Sequence, residues 1–273
     1  KQMSTIKRLP ETSTMDQELD GGWLTLWFNT PESRNALSSE LSTELMTLLD
    51  AVRPRRDIRG VTLRGRNGIF CSGGDLKSFR TDLQGKGDRE AVIEASCQAG
   101  ALFDAVNTLP QTVVVIVEGA AMAGGFGLVC CADLVIVTAD ARFALTETTL
   151  GIPPAQIARF VVQRLGLSTA RRLMLTAARF KGAEAQTIGL ADFLAPEAAD
   201  IAPLEAAIRE QVLRCAPQAN AVTKALVLAT QNTPPEAMVQ LAAEGFADCM
   251  LGDEAREGIA AFIEKRKPVW AGE

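Results

Sequence analysis

The stretch TVVVIVEGAAMAGGFGLVCCAD, Thr112–Asp133, sets a β-branched run before a glycine-rich turn and an apolar segment. A continuous run such as TVVVIV suits a strand buried on both faces. The small residues after it suit a backbone that passes close to something, and LVIVTA at 134–139 supplies the next strand. The same order of strand, glycine turn and helix occurs earlier, around 61–79, where IRGVTLR leads into GRNGIFCSGGD. Two such units predict an α/β body whose turns line one edge of a parallel-type sheet, the edge where ligands of such sheets bind.

Working outward, GGWLTLWFNT at 21–30 alternates apolar and polar residues and predicts a strand. In PESRNALSSELSTELMTLLDAV, Leu37, Leu41, Leu45, Leu48 and Val52 recur at helical spacing, with Ser38 placed to cap the start. RTDLQGKGDREAV, 80–92, is polar and carries Gly85 and Gly87, the composition of a mobile loop. EASCQAGALFDAVNTL then reads as a helix ending before Pro110. Behind Pro153 and Pro154, Ile157, Phe160, Val161 and Leu165 make one apolar helical face. Beyond Pro196 only helical patterns remain, punctuated by Pro203, Pro217 and Pro234–Pro235. The expected organisation is an α/β body over 1–195 followed by a helical region over 196–273.

Composition removes several kinds of chemistry. A net charge of −5 and a 5% aromatic content without tyrosine argue against a nucleic-acid binder, which needs a basic face or stacking platforms. No apolar run approaches the ~20 residues that span a bilayer, and KQMSTIKRLP reads as a polar leader rather than a signal, so a cytoplasmic location is expected. Six cysteines lack Cys-x-x-Cys spacing and read as buried free thiols of a reducing compartment. The absence of histidine excludes Ser-His-Asp and Cys-His mechanisms and mixed Cys/His zinc sites, and no metal site is expected. Acid–base work near neutral pH then falls to carboxylates, lysines or thiols.

FCSGGDLKSF and AAMAGGFGLV each set small residues just before an apparent helix start. Free N–H groups there carry partial positive charge, and two of them from separate turns can converge on one developing oxyanion. Neither turn is a nucleotide loop: Gly125 and Phe126 stand where a Walker A motif needs Lys and Ser/Thr, and Gly-x-Gly-x-x-Gly is missing from both. Spacing alone leaves an oxyanion site and simple close packing both open.

The order SRNALS, FCSGGDLKSF, GAAMAGGFGL, ARFALTETTLGIPP and EGIAAFIEKRKP resembles the crotonase, or enoyl-CoA hydratase/isomerase, superfamily over nearly the whole chain. The resemblance implies an α/β spiral of ββα units with a C-terminal helical assembly region. It implies an acyl-CoA thioester substrate with no cofactor beyond the coenzyme A it carries, and a homotrimer or dimer of trimers. It also implies that the backbone N–H groups of Gly74 and Gly124 stabilise the enolate-like thioester oxygen. Of the two glutamates common in the hydratases, the first position holds Gly127 and the second holds Glu147, to which proton transfer falls. Burial in apolar surroundings is expected to raise the Glu147 pKa.

With one carboxylate the resemblance leaves hydration, Δ3–Δ2 isomerisation and a silent acyl-CoA binder as alternatives. Hydration is favoured by GIPPAQIARF, which is similar to hydratases of branched glutaconyl-CoA substrates, isohexenylglutaconyl-CoA among them. Arg159 departs from that pattern, where proline is expected. Gln156 is the candidate to hold water or a substrate carboxylate, and Arg159 either pairs with a carboxylate or faces solvent. For the coenzyme, the resemblance implies roles for Arg34 and Ala36, for the turn residues Ser72, Asp75 and Leu76, and for Phe262 and Lys265 reaching a neighbouring subunit's ligand. Asp75 also reads as a helix cap. Cys71, with no histidine to activate it, reads as packing.

Overall fold

The computed structural model describes residues 8–75 and 88–272. The chain opens with a hairpin, β1 (Met15–Asp20) and β2 (Trp23–Phe28), turned by Gly21 and Gly22 at positive φ. Helix α1 (Ser39–Val52) follows, and the Ser38 side chain accepts the Leu41 N–H at its start, as the sequence predicts. Next come β3 (Gly60–Gly65) and α2 (Arg89–Asn107), then β4 (Thr112–Val117), β5 (Ala120–Met122) and α3 (Gly124–Cys130). β6 (Leu134–Thr138) and β7 (Arg142–Ala144) lead into α4 (Ala158–Thr176), then β8 (Phe180–Lys181), α5 (Gly182–Thr187) and β9 (Phe193–Ala195). Four helices close the chain: α6 (Ile201–Leu213), α7 (Pro217–Ala229), α8 (Pro235–Met250) and α9 (Asp253–Glu264).

These strands form a large sheet in the order β1-β2-β3-β4-β6-β9 and a small one in the order β5-β7-β8. From β2 to β9 every pairing in the large sheet is parallel, as the strand–turn–helix reading requires. The spiral follows from this alternation, since a long strand enters the large sheet, a short one enters the small sheet, and a helix returns the chain. Strand β4 explains its own composition. Val113, Val115 and Val117 pack into the main core with α1, α2 and α3, while Val114 and Ile116 pack on the other face with Trp23, Ile201 and Ile208. A β-branched residue at each position fits a strand covered on both sides.

Several expectations are corrected. The antiparallel strand β1 escaped the sequence reading because MDQELD is too polar for an apolar periodicity; only Met15 is buried, at the sheet edge. The strands of the small sheet are two or three residues long, too short for any periodicity to show. The expected loop 80–92 lies outside the described residues up to residue 87; Arg89–Val92 already belong to α2, which Asp88 caps through the Glu90 N–H. Helix α4 begins after the two prolines but bends at Gly166, with φ 75°. Only Cys71, Cys130 and Cys131 are buried thiols; Cys97 on α2 and Cys215 in the bend between α6 and α7 are exposed, and Cys249 is half-buried. No described helix is long and apolar enough to cross a membrane.

Candidate active site

The two glycine turns are sewn together by main-chain bonds. The Cys71 N–H donates to the Ala120 carbonyl at 3.1 Å, and the Met122 N–H donates to the Cys71 carbonyl at 3.0 Å. On the other side the Leu37 N–H donates to the Gly73 carbonyl at 2.8 Å. The segment 71–74 thus lies as an extra rung beside β5, and successive turns of the spiral stack in one row: Leu37, Cys71–Gly74, β5, β7, β8. Chemistry-bearing residues then emerge side by side from the ends of these rungs.

Contact between the turns is close. A Cβ on Gly73 would meet the Ala123 Cβ at 2.8 Å and the Gly124 nitrogen at 3.5 Å, and Gly73 sits at φ +101°, so only glycine serves there. A Cβ on Gly124 would lie 3.0 Å from Leu37 Cδ1 and 3.8 Å from the Gly74 nitrogen. Gly74 and Gly124 are therefore neighbours where the two turns touch. Neither N–H has a main-chain acceptor among the described residues. Gly124 opens α3, as expected, and Ala123 before it takes φ 48°, ψ −118°, a strained conformation for a residue with a Cβ. The Ala123 N–H donates to the Ala144 carbonyl at 2.9 Å and its carbonyl accepts the Gly127 N–H at 3.1 Å, which fixes that turn. The helix expected after Gly74 lies outside the described residues.

Glu147 leaves the next rung. β7 runs parallel to β5 with Ala144 beside Met122, so Glu147 and Gly124 stand just past the same end of the small sheet. Phe126, Phe143 and Phe180 lock that sheet onto α3, with ring centroids 5.4–6.2 Å apart. Glu147 begins a short 3-10 turn, Glu147–Leu150, closed by the left-handed Gly151. Its Oε2 is buried without a hydrogen-bond partner among the described residues. Burial raises the Glu147 pKa, opposed only by a backbone hydrogen bond at the same residue. An unpartnered carboxyl inside a fold costs free energy, and such sites favour proton transfer.

Helix α4 and its approach explain the missing second acid. A Cβ on Gly127 would strike Ile157 Cγ2 at 2.3 Å and come within 3.2 Å of the Phe103 ring, so Ile157 fills the space a glutamate would need. Next to it, Gln156 donates through Nε2 to the Ser96 hydroxyl at 3.0 Å, and its Oε1 rests where a Cβ of Gly100 would stand. Arg159 is ion-paired with Asp104 and stacked on the Phe160 ring at 4.2 Å. Of the two alternatives read from the sequence, Arg159 takes the carboxylate partner, while its side chain stays largely exposed.

The residues expected to hold the coenzyme divide into two groups. Arg34, Ala36, Ser72 and Asp75 cluster around the first glycine turn: the Ser72 N–H donates to the Arg34 carbonyl at 3.1 Å and the Ser72 hydroxyl to the Ser33 carbonyl at 3.0 Å. Ala36 is buried. Leu76 lies outside the described residues. Phe262 and Lys265 belong to the other group, on the exposed end of α9, and the Phe262 ring is 85% accessible. Cys71 is fully buried and its thiol is pushed up to about 12, which suits packing and not nucleophilic attack.

One residue of this site was overlooked. Asn35 is buried at φ 57°, and its side-chain oxygen accepts the Thr30 N–H at 2.8 Å while its amide donates to the Ile69 carbonyl at 2.8 Å. It ties loop 30–37 to the loop before Cys71. An asparagine inside SRNALS, a type that tolerates the left-handed region, was the available signal.

Residues 19–273 match the family model described as enoyl-CoA hydratase/isomerase. The chain belongs to that family. A putative enoyl-CoA hydratase of Thermus thermophilus is 34% identical over 243 residues, covering 89% of this chain and 95% of that protein. Among solved structures, Pseudomonas aeruginosa AtuE is 47% identical with a TM-score of 0.90, covering 95% of this chain and 100% of that one. An enoyl-CoA hydratase/isomerase from Marinobacter aquaeolei is 38% identical, also with a TM-score of 0.90, covering 94% and 99%. The family's α/β spiral with a C-terminal helical region is thus the fold of this chain, and an enzyme acting on acyl-CoA thioesters is what its membership supports.

Proposed function

We propose that the protein hydrates an α,β-unsaturated acyl-CoA with a single carboxylate, Glu147. The thioester oxygen would accept the Gly74 and Gly124 N–H groups, and enolate charge developing there would be stabilised most in the transition state. Glu147 takes a proton from water as the oxygen adds to the β-carbon, then returns a proton to the α-carbon. No separate cofactor is needed, because the thioester supplies the acidity and coenzyme A is part of the substrate. The observation that supports this reading is the buried Glu147 Oε2, unpartnered among the described residues, on the rung next to two glycine turns in close contact.

Gln156 is the candidate to orient the water in place of the absent acid. The substrate is of the branched glutaconyl type, for which the sequence around Gln156 is the argument. The protein is cytoplasmic and works as a homotrimer or a dimer of trimers, with Phe262 and Lys265 reaching the coenzyme of a neighbouring subunit. The exposure of both side chains on α9 supports that assignment.

Isomerisation between 3- and 2-enoyl-CoA is the second reading, favoured by Ile157 filling the space beside Gly127. One assay separates the two. Incubation with 2-enoyl-CoA is expected to lose the absorbance of the conjugated thioester and to yield 3-hydroxyacyl-CoA by mass. Gain of that absorbance from 3-enoyl-CoA, with 2-enoyl-CoA left untouched, identifies an isomerase. Tight binding with no turnover of either identifies a silent acyl-CoA binder.

A further inference from the structure

A cavity of about 300 Å³ opens beside the glycine turns, lined by Arg34, Arg142 and Arg179 over Ser72, Met122 and Thr146. Ser72, Met122 and Thr146 stand one or two residues before Gly74, Gly124 and Glu147, so the cavity adjoins the candidate active site along the same rungs. The three arginines come from separate parts of the fold. Arg34 sits in a left-handed turn before α1, Arg142 starts β7, and Arg179 precedes β8. None of the three has an ion-pair or side-chain hydrogen-bond partner among the described residues, whereas Arg64, Arg66, Arg164 and Arg209 each pair with a carboxylate. In a chain of net charge −5, three arginines without a carboxylate partner among the described residues stand around one cavity. Like charges gathered this way repel, and a bound anion relieves them.

We infer that Arg142 and Arg179 complete, with Arg34, a pocket that takes the phosphate groups of the substrate's nucleotide carrier. Guanidinium forks match phosphate oxygens in bidentate geometry, and three forks suit a doubly charged phosphate better than a single carboxylate. The Ser72 hydroxyl is already spent on the Ser33 carbonyl, so recognition falls to the arginines. This inference rests on the acyl-CoA reading above for the identity of the ligand, and only Arg34 was expected near the coenzyme from the sequence.

The test compares wild type with Arg142→Ala, Arg179→Ala and the double variant. Both side chains are exposed, so folding should survive, and circular dichroism checks this. Each single change is expected to raise KM for a 2-enoyl-CoA by about 10- to 100-fold with kcat little changed. The same variants should act on the corresponding 2-enoyl-pantetheine, which has no nucleotide phosphates, as wild type does. Titration with adenosine 3′,5′-bisphosphate should show matching losses of affinity, and Arg179→Lys should recover part of them.

Unchanged KM for enoyl-CoA in both variants, with wild-type hydration intact, overturns the phosphate pocket and leaves the hydratase reading standing. Equal losses on enoyl-CoA and enoyl-pantetheine also overturn it. If wild type turns over no enoyl-CoA yet binds the bisphosphate through Arg142 and Arg179, the pocket stands and the hydratase reading falls.

Discussion

At the scale of single residues, Glu147 and Asn35 set opposite demands on the fold. Glu147 is half-buried, with Oε2 fully buried and unpartnered among the described residues, and this desolvation lifts its pKa in the folded protein above its value in the unfolded chain. The native state then holds more protons than the unfolded state between those two values. Stability is highest below the unfolded value and falls as pH rises through the folded one. Glu147→Gln removes that dependence. Its melting temperature should exceed wild type at pH 8 and converge on it near pH 4; an excess independent of pH would contradict the buried charge. The acid limb of kcat/KM should likewise lie above the ordinary glutamate range. Asn35 is a polar group that the fold needs. Asn35→Ala strands the Thr30 N–H and the Ile69 carbonyl, and should lower unfolding free energy by about 2–4 kcal/mol in urea titrations. Glu147 was legible from its motif. Asn35 was not, because its role depends on a partner loop 34 residues away that no local pattern reveals.

At the scale of elements, the small sheet decides the chemistry and was the least legible part of the chain. The long parallel strands announced themselves through β-branched runs buried on both faces. The rungs at Cys71, β5, β7 and β8 carry too few residues for a period, and only their shared register shows why Gly74, Gly124 and Glu147 emerge together. Packing between α3 and the start of α4 adds a further constraint. The sequence shows that an acid is missing at Gly127, and the structure adds that Ile157 has closed the space. Gly127→Glu alone should overpack the core, costing about 1–3 kcal/mol, with little gain in hydration. Combining it with Ile157→Ala should recover stability relative to that single variant, read by thermal denaturation. If Gly127→Glu alone folds as stably as wild type, the side chain has found another route and the packing argument fails.

At the scale of the whole molecule, the C-terminal helices present a different surface from the body. Val239, Phe246, Leu251, Phe262 and Ile263 are each at least 69% exposed on or beside α8 and α9, more apolar side chain than a solitary chain usually leaves to water. Assembly through these helices, as trimers or pairs of trimers, should appear in light scattering as a mass three or six times that of the chain. Phe246→Asp should shift it toward the monomer. A wild-type monomer at micromolar concentration would contradict the assembly. Helical periodicity made these elements readable, but their exposed face could be seen only once their packing partners were known.

The central claim proposed is that one carboxyl group works beside two main-chain amides. The most direct test is the hydration rate of a 2-enoyl-CoA by Glu147→Gln, with binding of the thioester measured in parallel. The account predicts a loss of about 10²- to 10⁴-fold in kcat with thioester affinity little changed. Hydration by Glu147→Gln at the wild-type rate would contradict it.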